Sequence, residues 1–179
     1  ETEPTLRKAL AIGADEAIRI NTEAKDGITV AKELSHVIQD RGFDLVIAGR
    51  ESIDYNGSMV GGMLASLLSC PYVANCIQLD IEGTTVTLQR EIDGGKEELK
   101  ATLPVVIGGK KGLVDERDLR TPNMRGIMMA RQKPLQVVEP VDSEMRTAAV
   151  SYEKPAAKAA VRMVDKDNVA ELVELLHNE

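Results

Sequence analysis

The sequence predicts an α/β fold in which a parallel sheet with helices carries an inserted antiparallel meander. Two observations predict it. Helix-like and strand-like patterns alternate through the first 68 residues, which is typical of a parallel sheet. Three consecutive strand-like runs then follow, joined by turns that contain glycine, and such a series is typical of antiparallel hairpins.

The first half of the chain supplies the alternation. Helices are predicted over Thr5–Ile12 and Thr29–Arg41, where apolar residues recur at helical spacing. A strand is predicted between them, over Ala17–Ile20. The apolar run Leu45–Ala48 has the composition of a buried parallel strand.

The stretch after this last strand is the most informative part of the sequence. Gly49 ends the strand, a loop carrying both charges runs to Gly57, and Ser58 is expected to cap a helix with an apolar face. A helix that begins beside the carboxyl end of a parallel strand presents free backbone N–H groups and a positive dipole end, which bind phosphate. The pattern therefore predicts a candidate phosphate site, although many corners of this kind bind nothing.

The second half contains the meander, further short elements and an irregular arm. The predicted strands are Tyr72–Ile81, Thr84–Ile92, Glu97–Leu103, Val105–Ile107 and Leu135–Val138, and a short helix is predicted over Gly126–Arg131. No periodic pattern runs between Pro140 and Lys158. Asp165 is expected to cap a final amphipathic helix that extends to about His177 and needs a surface to pack on.

Composition limits the classes of function. The chain has 179 residues, of which 43% are hydrophobic, and this is enough for the core of one domain. The net charge of −7 argues against nucleic acid or an anionic membrane as the main partner. No long apolar run is present, so a soluble, cytoplasmic protein is expected. Cys70 and Cys76 lack metal-ligand spacing and are expected to be reduced, buried small hydrophobes.

Several motifs together resemble the β subunit of electron-transfer flavoproteins. They are AGRESID at 48–54, REIDGG at 90–95, RGIM at 125–128, VEP at 138–140 and RTA at 146–148. The motifs follow the family's order along nearly the whole chain. The family begins with strands that precede the Thr5–Ile12 helix and that this sequence does not contain. The nucleotide-binding domain is therefore expected to be N-terminally incomplete and to bind AMP weakly or not at all by itself.

The resemblance implies a fold and a function. The fold is a Rossmann-like, adenine nucleotide α-hydrolase-like domain over residues 1–139, with a C-terminal arm and helix over residues 140–179 that pack on an α subunit. The function is that of an electron carrier, not an enzyme. The heterodimer would take electrons from flavoprotein dehydrogenases, such as acyl-CoA dehydrogenases, and pass them to a downstream acceptor. FAD would lie mainly on the α subunit, while this subunit would bind AMP or a second FAD.

The resemblance also assigns the residues of the nucleotide corner. They are Gly49, Asp54, Asn56, Gly57, Ser58, Met59, Val60 and Gly61. Where the family commonly has Asn-Gln-Thr-Gly, this chain has Ser-Met-Val-Gly, so phosphate affinity would depend on backbone N–H groups and the helix dipole. Close approach of a ligand and tight helix–strand packing would each explain Gly61. Asp54 could meet a ligand or cap its own loop.

Two further surfaces follow from the resemblance. Glu91 is expected to lie near the α-subunit flavin and to pair with an arginine of that subunit, whereas spacing alone indicates a solvated hairpin end. Met124, with Arg125 and Gly126, is expected to be the docking point for dehydrogenases, because methionine suits a surface that fits several partners. The alternative is that Met124 folds back onto the helix that follows.

Two other classes of function compete. A nucleotide-binding regulatory module of the stress-protein type shares the strand-loop-helix corner, but the meander and the long arm argue against it. A small nucleotide-hydrolysing enzyme would need a metal-binding carboxylate cluster. Asp115, Glu116 and Asp118 form the only such cluster in the sequence, and they lie in a loop without other ligands, so no metal site is predicted.

Overall fold

A computed structural model describes residues 2–141, 143–158 and 160–178. The chain divides into a larger compact unit, residues 1–148, and a smaller one, residues 149–179. The helices are α1 (Glu3–Ile12), α2 (Gly27–Gln39), α3 (Val60–Leu67), α4 (Met124–Ala130) and α5 (Val169–Asn178). The strands are β1 (Ala17–Ile20), β2 (Leu45–Gly49), β3 (Tyr72–Glu82), β4 (Thr85–Ile92), β5 (Gly95–Thr102), β6 (Val105–Gly109) and β7 (Leu135–Val138). The predicted α/β class is confirmed.

The larger sheet combines both predicted patterns. Its strand order is β2-β6-β3-β4-β5, in which β6 runs parallel to both β2 and β3 while β3, β4 and β5 form the antiparallel meander. One core cluster of this sheet consists of buried aliphatic side chains and one thiol: Val73, Cys76, Val86, Leu88, Val105 and Ile107. Aliphatic packing therefore carries the stability of this sheet, as the scarcity of aromatic residues predicts.

The parallel strands do not all join one sheet. β1 pairs in parallel with β7 and forms a separate two-stranded sheet, while β2 is an edge strand of the larger one. Ile47 of β2 is 59% exposed, so this strand is less buried than its apolar sequence predicts. The sequence pattern identified both strands correctly but not which strands lie beside them.

The N-terminus of α2 ties the beginning of the arm to the larger unit. Asp26 is the N-cap, and its Oδ1 accepts a hydrogen bond from Thr29 N at 2.9 Å. Its Oδ2 accepts hydrogen bonds from the backbone N–H groups of Arg146 and Thr147 at 2.7 and 3.0 Å. Further along α2, the buried Glu33 accepts from Val141 N at 2.9 Å. The carboxylates of Asp26 and Glu33 thus hold the backbone of Val141, Arg146 and Thr147 against α2.

The smaller unit contains α5. The predicted cap at Asp165 is wrong, because Asp165 accepts a hydrogen bond from Asp167 N and Asn168 Oδ1 accepts one from Glu171 N at the start of the helix. The predicted apolar stripe is present and is substantially exposed: Val169, Leu172, Val173 and Leu176.

Candidate nucleotide-binding site

The candidate corner lies where β2 ends, as the sequence predicts. β2 stops at Gly49, and the N–H of Arg50 donates to the carbonyl oxygen of Gly109 at 3.2 Å, which ties the start of the loop to the end of β6. A side chain at Gly49 would meet no atom within 4 Å, so the space beside the strand end is open. The corner therefore offers room next to the carboxyl ends of two parallel strands.

The loop over residues 50–59 is organised by its own polar groups. Asn56 N donates to Ser52 O at 2.9 Å, and Asn56 and Ser58 have φ angles of 48° and 53°, in the left-handed region. Asp54 accepts hydrogen bonds from the Ser52 hydroxyl and the Tyr55 N–H, and these lower the pKa of its carboxyl below the ordinary value. Asp54 thus has the loop-capping role, and its contact with a ligand stays a prediction.

The helix N-cap predicted at Ser58 is wrong. Ser58 donates its hydroxyl to the carbonyl oxygen of Arg50 at 3.0 Å, and the N-cap position of α3 is taken by Met59. A thioether gives no capping hydrogen bond here, so α3 begins without a side-chain cap. Among the residues that the structure describes, no side chain accepts a hydrogen bond from the first-turn N–H groups of Val60 and Gly61, the point where a phosphate would approach.

Gly61 is explained by packing within the chain. A Cβ atom at Gly61 would lie 2.9 Å from the Tyr72 ring, and one at Gly108 would lie 2.6 Å from the Tyr72 hydroxyl. Tyr72 is therefore wedged between α3 and β6, and both positions need glycine. Of the two explanations that the sequence left open, tight packing is the one that the structure supports.

The N-terminus of α2 also reaches this corner, a contact that the sequence pattern does not predict. A Cβ atom at Gly27, the first residue of α2, would lie 2.7 Å from the sulfur of Met59, and one at Gly57 would lie 3.6 Å from its methyl group. Met59 therefore separates the two helix N-termini. The spacing of Asp26 and Thr29, which is that of a capping box, was the available signal for the earlier start of α2.

Glu91 has a partner in its own chain. It forms a salt bridge with Lys110, which follows β6, and this lysine lowers the pKa of the Glu91 carboxyl below the ordinary value. Lys96 and Arg50 add positive potential around it. Glu91 is thus already paired with a lysine of its own chain. Its pairing with an arginine of an α subunit and its proximity to a flavin stay predictions.

Met124 is the first residue of α4 and is 75% exposed, so it does not fold back onto that helix. Asn123 caps α4 by accepting a hydrogen bond from Gly126 N at 2.8 Å. A Cβ atom at Gly126 would collide with the carbonyl oxygen of Ala11, so the glycine lets α4 lie directly against α1. The packing of α4 on α1 holds Met124 and Arg125 at the surface.

The donor set at the corner fits a phosphate group. Uncapped helix N–H groups beside an open strand end bind oxyanions.

A groove of about 660 Å³ lies elsewhere, between β1 and α2, and none of its described lining residues belongs to the 50–59 loop or to α3. Within the described residues, His, Cys, Asp and Glu side chains form no group of three or more arranged to hold a metal ion.

The comparisons with known proteins agree on one family. The sequence model of the electron transfer flavoprotein domain matches residues 1–143. The chain is 33% identical to the electron transfer flavoprotein subunit beta of Bacillus subtilis (strain 168), covering all of this chain and 74% of that protein. It is 35% identical to the probable electron transfer flavoprotein subunit beta of Schizosaccharomyces pombe, with 98% and 69% covered. For the human electron transfer flavoprotein subunit beta the identity is 32%, with 98% and 72% covered.

The strand order and the helices define an α/β protein with a mixed sheet. The chain belongs to the electron transfer flavoprotein domain family. It is accordingly an electron-carrier component and not an enzyme. No helix in the described ranges has the length and apolar character needed to cross a membrane.

Proposed function

We propose that this chain is the β subunit of a heterodimeric electron-transfer flavoprotein and that the N-terminus of α3 holds the phosphate of an adenine nucleotide. The observation that carries the nucleotide part is the absence of a side-chain cap at Met59, next to the open strand end at Gly49. The nucleotide is AMP or a second FAD, since a phosphate linked to an adenosine is common to both.

The electron-transferring FAD belongs mainly to the α subunit in this proposal. That flavin supplies the redox chemistry when it is bound, and this chain supplies position and charge. Lys110 keeps the Glu91 carboxylate ionised, so a fixed charge pair stands at the end of the larger sheet. Such a pair can orient a partner domain by electrostatic complementarity.

The arm is the proposed contact with the α subunit. The backbone of Val141 and Arg146 is held on α2 by Glu33 and Asp26, whereas the apolar stripe of α5 is left exposed. An amphipathic helix of this length is stable only when its apolar face packs on something. Deleting residues 149–179 should therefore abolish co-purification with the α subunit, while the shorter chain keeps the folding transition of the larger unit. Full retention of the complex would contradict this part of the proposal.

Dehydrogenases are proposed to dock at Met124, with Arg125 and Gly126 beside it. An anchor of this kind is worth at least about 2 kcal/mol, which is more than tenfold in affinity. Met124→Ala in the α/β complex should reduce the rate of flavin reduction by a dehydrogenase and leave dithionite reduction and thermal stability unchanged. A rate equal to that of the wild type would place the anchor elsewhere.

The decisive experiment for the whole proposal is the nucleotide content of the purified α/β complex. The complex is denatured, and the released FAD and AMP are counted per heterodimer. One FAD with one AMP, or two FAD, is the expected result, and the second would indicate electron bifurcation. A complex with one FAD and no further nucleotide would overturn the corner assignment. A homodimer that binds ATP without an α subunit would instead support the regulatory module of the stress-protein type.

A further inference from the structure

Asn56 and Gly57 form the only Asn-Gly pair in the chain, and they lie in the loop that precedes α3. Asn56 is exposed and has a φ of 48°, in the left-handed region that asparagine adopts more readily than most residues. Its backbone is held within the loop, because Asn56 N donates to Ser52 O at 2.9 Å. The backbone conformation therefore explains an asparagine at this position and gives its side-chain amide no role.

The two groups that can react with each other here are both unpaired. Within residues 2–141, 143–158 and 160–178, neither the Asn56 side chain nor the Gly57 N–H takes part in a hydrogen bond. Glycine has no Cβ atom to shield its nitrogen. Asparagine is a chemically labile residue, and an unshielded nitrogen in the next residue can reach its carboxamide carbon.

Other asparagines of the chain are better protected. The carboxamide of Asn21 donates a hydrogen bond at 3.3 Å, and that of Asn123 accepts one at 2.8 Å. The residues that follow them are Thr22 and Met124, whose side chains shield the backbone nitrogen. Asn56 therefore differs from them in both its neighbour and its hydrogen bonding.

We propose that Asn56 is a site of spontaneous deamidation, which adds a negative charge to the loop beside the candidate phosphate position. The Gly57 nitrogen attacks the carboxamide carbon of Asn56, the bond from that carbon to Nδ2 breaks, and ammonia leaves with the proton of the Gly57 N–H. Water then adds to the cyclic imide, and opening of one or the other of its C–N bonds gives aspartate or isoaspartate. Water is the only co-reactant, and no atom is oxidised or reduced.

The consequence for the nucleotide rests on the proposed function. Asn56 lies three residues before Met59, the N-cap of α3, and a Cβ atom at Gly57 would lie 3.6 Å from the Met59 methyl group. The modified loop therefore places a carboxylate near the helix end where a phosphate would approach, and isoaspartate also lengthens the backbone there. AMP should bind the deamidated α/β complex at least about threefold more weakly, because like charges repel.

The modification is tested by keeping the purified α/β complex in warm, mildly alkaline buffer and following each asparagine by peptide mass mapping. Asn56 should convert to a mixture of aspartate and isoaspartate while Asn21 and Asn123 stay intact. Gly57→Ala is the matched control, since the φ of Gly57 lies outside the left-handed region and the added Cβ would make only ordinary contact with Met59. Its methyl group should slow the conversion by about tenfold or more.

Calorimetry with AMP tests the consequence. The aged wild-type complex and a fresh Asn56→Asp complex should both bind AMP more weakly than the fresh wild type, whereas aged Gly57→Ala should keep its affinity. Conversion of Asn56 no faster than that of Asn21, or equal conversion in Gly57→Ala, would overturn the modification. Full conversion with unchanged affinity would overturn its effect on the phosphate corner. A fresh wild-type complex that does not bind AMP would contradict the proposed function alone, because the mass mapping does not depend on it.

Discussion

The N-termini of α2 and α3 meet at Met59, and they differ in capping. α2 has a capping box, and the carboxylate of Asp26 also accepts two N–H groups from the arm. α3 has a thioether at the N-cap and no capping hydrogen bond from a side chain. The first helix end is closed by the protein's own anion, and the second is left available for an external one. The difference shows why only one of two adjacent helix dipoles is a candidate ligand site.

The first test asks whether packing against the Tyr72 ring requires a glycine at position 61, in the first turn of α3. Gly61→Ala should lower the free energy of unfolding by about 1–3 kcal/mol, because its Cβ would press on the Tyr72 ring. Gly62→Ala is the matched control, since its Cβ would lie 3.5 Å from Tyr72, in ordinary contact. That variant should be neutral or gain up to about 1 kcal/mol from helix propensity. Urea unfolding measures both. Equal stability of the two variants would mean that Tyr72 yields readily and that Gly61 serves another purpose.

The second test opens the closed helix end. Asp26→Ala removes the N-cap and the acceptor for Arg146 and Thr147, so the melting temperature should fall by a few degrees and residues near 146 should become more sensitive to protease. Asp26→Asn keeps an N-cap acceptor and removes only the charge. Its melting temperature should therefore lie between those of the wild type and Asp26→Ala. A melting temperature unchanged in Asp26→Ala would show that the arm is not fixed through this residue.

The same residue gives a pH dependence with a definite sign. The N–H groups of Thr29 and Arg146 hold the pKa of Asp26 far below its usual range. Its contribution to stability is therefore complete above the unfolded-state pKa of about 4 and is lost as the pH falls further toward the folded-state value. The stability difference between wild type and Asp26→Asn should be constant near neutral pH and should shrink in acid. A difference that grows on acidification would contradict the assignment.

The smallest expected effect comes from closing the open helix end. Met59→Asp places a carboxylate beside the free N–H groups of α3, and repulsion of a phosphate should weaken AMP binding by the α/β complex by roughly threefold to tenfold. Met59→Leu keeps the size and the apolar character and should bind as the wild type does. Calorimetry with AMP distinguishes them. Equal affinity in both variants would remove the α3 N-terminus from the nucleotide site.

The sequence predicted most elements because their signals are local. Helical spacing located α2, and glycine-containing turns located the meander, with boundaries within a few residues of the observed ones. The strand-loop-helix corner was found for the same reason. Of the two placements that the sequence left open for Met124, the structure shows the exposed one.

The features that the sequence does not predict depend on contacts between segments that are distant along the chain. The Tyr72 ring beside Gly61 and Gly108, and the Lys110 partner of Glu91, arise from strand order and leave no local trace. The choice of Met59 over Ser58 as N-cap was missed because Ser58 adopts a left-handed conformation and turns its hydroxyl to Arg50. Local propensity favours serine at that position, and the tight loop overrides it.

The packing of Tyr72 between α3 and β6 can be followed through the ionisation of its phenol, which changes the ultraviolet absorbance. The chain contains three tyrosines and no tryptophan, and burial raises the pKa of the Tyr72 phenol. Since the folded-state pKa exceeds the unfolded value of about 10, the wedge stabilises the fold fully below that pH and loses its effect as the pH rises through the folded-state value. In an alkaline titration the Tyr72 share of the tyrosinate absorbance should therefore appear at a higher pH in the folded chain than in the unfolded chain.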